Sequence, residues 1–276
     1  MRNALSSIAG VVEITLALIG CGLLWKFVMQ PAARAHPPIS RLPAWDISMA
    51  DFLSFLLLVM GGSSIAAIAA GFVGKLLPFR GDTMTVFSGA FTQLGLLLGV
   101  LTHRILVEKK SMPRLSSPRA SFTAGVATFL VAIPLVIASA KLSELLLQLA
   151  GLPTGKQDLI GMFAQADSAG LIIIMTFLAV VIAPVSEELV FRGGLFRHFR
   201  TRLPRWAALV IPGLFFASLH VNWHTLQGLS SLAPLTVLSV IFSLAYERTG
   251  KISTAIFAHA LFNLNTILLI FCGTDL

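Results

Sequence analysis

Charged side chains are scarce in this sequence: Asp, Glu, Lys and Arg make up 12% of its 276 residues, against 56% hydrophobic ones. Together with a mean hydropathy of +0.88, that balance excludes an ordinary soluble fold and predicts a polytopic membrane protein. Acidic residues are fewer still, 12 against 20 basic, for a net charge of +8. The basic residues cluster in short segments between apolar runs, which is the positive-inside pattern and not a nucleic-acid footprint. Cysteine is almost missing. Cys21 and Cys272 lie in apolar stretches, with no spacing for a zinc ribbon or a disulfide framework, and are expected as small core residues. Also missing are a Gly-x-Ser-Gly nucleophile site and a Gly-x-Gly-Asp motif, which disfavours serine and aspartyl intramembrane chemistry. No internal repeat suggests a transporter built from two halves.

What is present is a series of apolar runs. They predict an all-α bundle of about eight transmembrane helices at 8–29, 52–77, 84–106, 122–149, 169–192, 206–220, 232–246 and 253–271. The first is too long for the apolar core of a signal peptide. It carries Glu13, which faces either the bundle or the membrane surface. The segment 31–45, with Pro31, Pro37, Pro38 and Pro43, reads as a loop. Gly61, Gly62, Ser63 and Ser64 offer the second helix a small-residue contact surface, and Pro134 should kink the fourth. The connection 104–119 has Lys109, Lys110 and Arg114 against Glu108, and the connection after the fifth helix has Arg197, Arg200, Arg202 and Arg205. Both are expected in the cytoplasm. Lys156 stands against Asp158 and Asp167, as expected of the opposite side. The whole is one integral membrane domain over 1–276, with four motif-free helices in 1–150 and a four-helix catalytic core in 169–271. Both termini then lie outside the cytoplasm. Trp45, Trp206 and Trp223 suit interface anchors.

Three charges stand out at the end of the fifth run, in Ala183-Pro184-Val185-Ser186-Glu187-Glu188-Leu189-Val190-Phe191-Arg192-Gly193-Gly194. Each costs about 2.5–3.5 kcal/mol at a helix centre, so three facing lipid would cost on the order of 8 kcal/mol or more. They must face protein, water or the interface. Glu188 and Arg192 are four apart and can pair, whereas Glu187 points about 100° away and is left as the free carboxylate. Farther along, Phe216-Ala-Ser-Leu-His220 places a histidine near the end of the sixth helix, and His259-Ala-Leu-Phe-Asn263 places His and Asn on one face of the eighth. Measured from the basic helix ends at about 1.5 Å per residue, Glu187, His220 and His259 lie roughly 15, 20 and 10 Å deep and can meet. His220-Val-Asn-Trp-His224 has the i, i+4 histidines of a zinc helix but lacks the glutamate base, so His224 reads as structural or interfacial.

Glu187-Glu188-x-x-x-Arg192, Phe216-x-x-x-His220 and His259-x-x-x-Asn263, in this order on successive helices, resemble the motifs of the CAAX protease and bacteriocin-processing family, also called Abi, which includes the type II CAAX prenyl endopeptidases. Tyr246-Glu-Arg-Thr-Gly250 is similar to the family's turn before the last motif. The resemblance covers about 183–263, and no motif residue departs from the pattern. It implies an intramembrane endopeptidase in which Glu187 and His220 activate a water, His259 and Asn263 stabilise the oxyanion, and Glu188 with Arg192 holds the motif helix in register. A desolvated Glu beside a neutral His suits a base, and fixed imidazole and amide N–H groups suit developing negative charge.

The site is expected to open toward the cytoplasm of a prokaryotic plasma membrane. Substrates implied are peptides, prenylated proteins or membrane-protein segments, with the lipid bilayer as surroundings and no nucleic acid; nothing fixes an oligomeric state. No cofactor is favoured, because Glu188 is committed to Arg192 and a metal-bound Glu187 would leave no carboxylate base. A zinc site would use Glu187, His220 and His259 as its ligands. Two other functions compete: a non-proteolytic member of the same fold acting as a bacteriocin self-immunity factor or scaffold, and a proton-coupled transporter, which would need Glu13 buried with the other polar groups.

Overall fold

Among the described residues of the computed structural model, 2–35, 40–77, 81–107, 118–155, 161–163 and 168–273, seven helices are long and apolar enough to cross a membrane. They are α1 (Arg2–Leu24, extended by a π turn Trp25–Met29), α2 (Met49–Gly74), α3 (Asp82–Leu106), α4 (Pro118–Leu149), α5 (Ala169–Arg202), α7 (Leu232–Thr249) and α8 (Ile252–Cys272), while α6 (Arg205–Ser218) is shorter. The chain is all-α and polytopic, as expected. The sixth expected span differs. At 14 residues α6 is about 21 Å long, short of a hydrocarbon core of about 30 Å. It carries Pro212 and stops at Ser218, so His220 sits in the turn after it. The connection charges at Arg80, Glu108 to Arg114 and Lys156 to Asp167 lie outside the described residues.

Helix packing follows from small residues and freed backbone groups. A Cβ on Gly62 of α2 would come within 2.8 Å of the Gly95 carbonyl oxygen of α3, so these two helices touch along their backbones. Pro134 lies inside α4 and cannot donate to the Leu130 carbonyl. That carbonyl is where Gly20 of α1 packs, at a distance only glycine tolerates. Cys21, next to Gly20 on α1, is exposed and Cys272 half-buried, so the expectation of core cysteines is corrected.

The helices alternate in direction. One face of the bundle gathers Arg197, Arg200, Arg202, Arg205, Arg248 and Lys251, at the end of α5, the start of α6 and the turn between α7 and α8. The C-terminal end of α1 is on this face too, since Arg248 stacks on Phe27 at 5.6 Å. The segment after α1, expected as a loop, forms a single helical turn at Pro31–Ala35 and then, from Ser40, a strap across the same face. Arg197 donates to the carbonyls of Pro43 (2.9 Å) and Ala44 (3.0 Å), and Arg41 N–H donates to the Glu247 carbonyl at 2.8 Å. Gly250 ends α7 at φ +68°, where a Cβ would lie 2.6 Å from the Arg41 carbonyl oxygen. Trp45, expected as an interface anchor, is instead 3% exposed in a core with Phe52, Phe55, Val190, Phe191 and Phe216. Trp206 and Trp223 are exposed, as anchors would be.

Candidate active site

The centre of α5 is built around backbone groups that its own helix does not use. Residues Leu178–Ile182 form a π turn, in which Ala183 N–H donates to the Leu178 carbonyl instead of the Ala179 carbonyl. The next donor in that register would belong to Pro184, which has none. The Ala179 carbonyl is therefore left over, and Asn263 of α8 fills the vacancy with its side-chain amide at 2.7 Å. A π turn at a functional position is a recurrent device; here it fastens α8 to α5 one turn from His259.

Beyond Pro184 the two adjacent carboxylates take different surroundings. Glu188 is fully buried and receives Arg192 Nη1 at 2.8 Å on Oε1. Arg192, equally buried, also donates Nη2 to the Ser239 hydroxyl (2.9 Å) and carbonyl (3.2 Å) of α7, and its guanidinium lies over the rings of Phe216 and Phe242 at 4.9 and 5.4 Å. The same Glu188 oxygen lies 2.9 Å from His259 Nδ1. Glu188 thus joins α5 to α8 as well as pairing with Arg192 along its own helix.

Glu187 turns the other way, toward the cavity. Its Oε1 accepts Gln93 Nε2 of α3 at 3.0 Å, and the other end of that amide, Oε1, accepts the Ser186 hydroxyl. Its Oε2 faces two imidazoles: His220 Nε2 at 3.7 Å and His259 Nε2 at 3.9 Å. The far side of each ring is committed. His220 Nδ1 lies 2.8 Å from the Phe216 carbonyl, and His259 Nδ1 meets Glu188. A carbonyl and a carboxylate can only accept, so Nδ1 carries a hydrogen in both rings, and each ring turns its Nε2 toward Glu187 Oε2. Two ring nitrogens and a carboxylate oxygen then converge beyond direct hydrogen-bond distance, where a water can bridge Oε2 to a ring nitrogen. Among the described residues no three His, Cys, Asp or Glu side chains are placed to hold a metal ion.

Of the residues singled out from sequence, Glu187, Glu188, Arg192, His220 and His259 are brought into one cluster. Asn263 lines the same cavity, one turn along α8, with one amide hydrogen held by Ala179. His224 lies in the exposed turn before α7. Glu13 is not among them: it borders a second cavity of about 790 Å³ with Cys21, Lys141 and Glu144, divided from the first by Leu235, Leu238, Phe262 and Thr266. A relay through Glu13 is not formed.

Three polar contributors were missed in sequence reasoning. Gln93 was legible as the one amide inside an otherwise apolar run on α3. Ser239 carries no signal, since serine is common in membrane helices. Glu247, in the last turn of α7, is 3% exposed and accepts both Arg200 Nε (2.7 Å) and Arg205 Nε (2.9 Å).

The cavity holding Glu187, His220, His259 and Asn263 is about 370 Å³. Fold and site together define a polytopic membrane protein with a glutamate–histidine centre lining a cavity between its helices. Residues 169–265 match the family described as type II CAAX prenyl endopeptidase Rce1-like, and over this segment the resemblance read from the three motifs is shown. An uncharacterized 24.3 kDa protein of Escherichia coli is 32% identical over 97 residues, covering 34% of this chain and 43% of that protein. The UPF0177 protein YbdI of Lactococcus lactis subsp. lactis (strain IL1403) is 33% identical over 93 residues, 33% of this chain and 46% of that protein. The chain thus spans less than half the length of these curated relatives. No solved structure matches. Gln93 lies outside the matched segment.

Proposed function

We propose that this chain is an intramembrane endopeptidase that hydrolyses a peptide bond with a water activated by Glu187 and His220, in the manner of the type II CAAX prenyl endopeptidases. The observation that carries the reading is the convergence of His220 Nε2 and His259 Nε2 on one carboxylate oxygen, Glu187 Oε2, at 3.7 and 3.9 Å. A water between Glu187 and His220 gives its two hydrogens to Oε2 and Nε2, which leaves its oxygen lone pair free for a carbonyl carbon in the cavity. As the new C–O bond forms, Glu187 takes one proton and the carbonyl oxygen becomes an oxyanion. Collapse breaks the C–N bond, and the proton passes from Glu187 to the leaving amine.

His259 and Asn263 are the proposed oxyanion donors. Asn263 has a second amide hydrogen beside the one held by Ala179. His259 can donate from Nε2 only as the doubly protonated ring, with Nδ1–H remaining on Glu188. Glu188 and Arg192 act as the support that fixes this ring. No cofactor enters the reading, and the membrane is the plasma membrane of a prokaryote.

The test compares new peptide termini in membranes carrying wild-type or Glu187→Ala protein. Termini formed only with wild type are expected. The same set of termini in both membranes would sink the proposal and favour a non-proteolytic immunity or scaffold role.

A further inference from the structure

We propose that the catalytic cavity is entered from the extracytoplasmic face, so that its substrates are peptide segments presented on that side or in the outer half of the bilayer, and not cytoplasmic C-termini. The substrate half of this inference rests on the endopeptidase reading; the access half rests on geometry and charge alone.

The direction of the cavity can be read from its walls. From Glu187 it passes Ala183, Ala179 and Met175, which run toward the start of α5, away from the arginines at its other end. On α3 it passes Gln93, Gly89 and Thr85, toward Asp82. On α8 it passes Asn263, Thr266 and Ile270, away from Lys251. Leu235, near the start of α7, and His220, past the end of α6, complete the rim. Five elements therefore agree on one direction. Met162 and Phe163, from the connection between α4 and α5, line the same end. His220 keeps 35% of its side chain exposed there, against 10% for Glu187 deeper in.

The other direction is closed. Between Glu187 and the basic face, Phe191, Arg192, Leu195 and Phe196 are each 5% exposed or less. Phe191 and Leu195 share a core with Trp45, Phe52 and Phe55, and Phe196 packs with Leu209 and Tyr246. The strap carrying Trp45 is clamped over this layer by Arg197 and by Arg202, which donates to the Ile47 carbonyl. A chain arriving from the basic side would have to displace this aromatic layer.

Charge then says which face is which. Among the described residues the plugged face has Arg197, Arg200, Arg202, Arg205, Arg248 and Lys251 against Asp46, Asp51 and Glu247, whereas the helix ends on the open side carry Lys75 and Lys141 against Asp82 and Glu144. By the positive-inside bias, the plugged face is cytoplasmic. The family resemblance led to the opposite expectation, a cytoplasmic opening, because it carries the motifs without the strap that closes this chain's basic side.

The experiment is thiol labelling in a background with Cys21→Ser and Cys272→Ser. Thr85→Cys, Met162→Cys and Ile270→Cys probe the mouth on three separate elements, so no single variant's folding decides the outcome. Thr201→Cys, exposed on the basic face, is the control. In intact spheroplasts an impermeant maleimide is expected to label the mouth variants and leave Thr201→Cys unlabelled until the membrane is opened. Labelling of Thr201→Cys in intact spheroplasts, or of the mouth variants only after opening or not at all, overturns the proposal. Because this readout needs no cleavage, an inactive protein would refute the endopeptidase reading while leaving the access result to stand or fall by itself.

Discussion

His259 Nδ1 and Arg192 Nη1 meet the same atom, Glu188 Oε1, at 2.9 and 2.8 Å. The pair that holds α5 in register therefore also holds Nδ1 of a cavity histidine three helices farther along the chain. Glu188 is a support in both senses, since it takes up the charge of Arg192 and it points His259 Nε2 at Glu187.

Removing Arg192 should accordingly be felt twice. Arg192→Ala leaves the buried Glu188 carboxylate without its counter-charge, which costs about 3–5 kcal/mol, and frees Glu188 to shift away from His259. A lower unfolding temperature in detergent together with reduced cleavage is expected. Unchanged thermal stability would show that the pair is not structural.

Gln93 connects the motif-free half of the chain to the carboxylate. Gln93→Met keeps the length of the side chain and removes the donor to Glu187 Oε1, which leaves the carboxylate free to rotate away from the histidines. A hydrogen bond to a charged group is worth about 1.5–3 kcal/mol, so a fall in kcat of about tenfold or more is expected, with KM and thermal stability close to wild type. A rise in KM alone would place Gln93 in substrate contact instead.

Asn263 carries a structural load that its motif does not advertise. Asn263→Leu strands the Ala179 carbonyl, which neither Ala183 nor Pro184 can satisfy, at a cost of about 1–3 kcal/mol. Asn263→Ala should lose stability for the same reason, whereas Asn263→Gln, still able to donate, should retain more of it. Equal melting temperatures for all three would mean that the π turn needs no partner.

Metal dependence separates two uses of the same side chains. With Glu187 as the base, purified enzyme should cleave after prolonged chelation and contain no stoichiometric metal. Loss of activity on chelation, restored by about one equivalent of zinc as for a single-site zinc hydrolase, would make Glu187, His220 and His259 ligands.

Much of this was legible in the sequence. Apolar runs placed six of the eight helices to within about four residues at each end, because a membrane span needs a length and a composition that little else in a protein has; α1 begins earlier than its apolar run, and α5 continues past Arg192 to Arg202 through a segment that reads as a basic connection. The cost of charges in hydrocarbon brought Glu187, Glu188, Arg192 and the histidines to attention, and helical spacing assigned Arg192 to Glu188. What could not be read depended on contacts between distant segments. Trp45 looked like an interface anchor because nothing local says that Arg197 and Arg202 pull its strap over an aromatic layer. Gln93 and Ser239 are ordinary residues until α3 and α7 are laid against α5. The direction of the cavity escaped as well, since depth estimates give a level in the membrane and not the side from which it is reached.

The most direct measurement of the central claim is isotopic. Membranes carrying wild-type or Glu187→Gln protein, which keeps the size of the side chain but cannot accept a proton, are incubated in ¹⁸O-labelled water, and new peptide termini are read by mass spectrometry. The account expects new C-termini bearing ¹⁸O with wild type, none above background with Glu187→Gln, and equal thermal stability of the two proteins. Labelled termini formed at the same rate by Glu187→Gln would contradict it, because the water would then be activated by some other group.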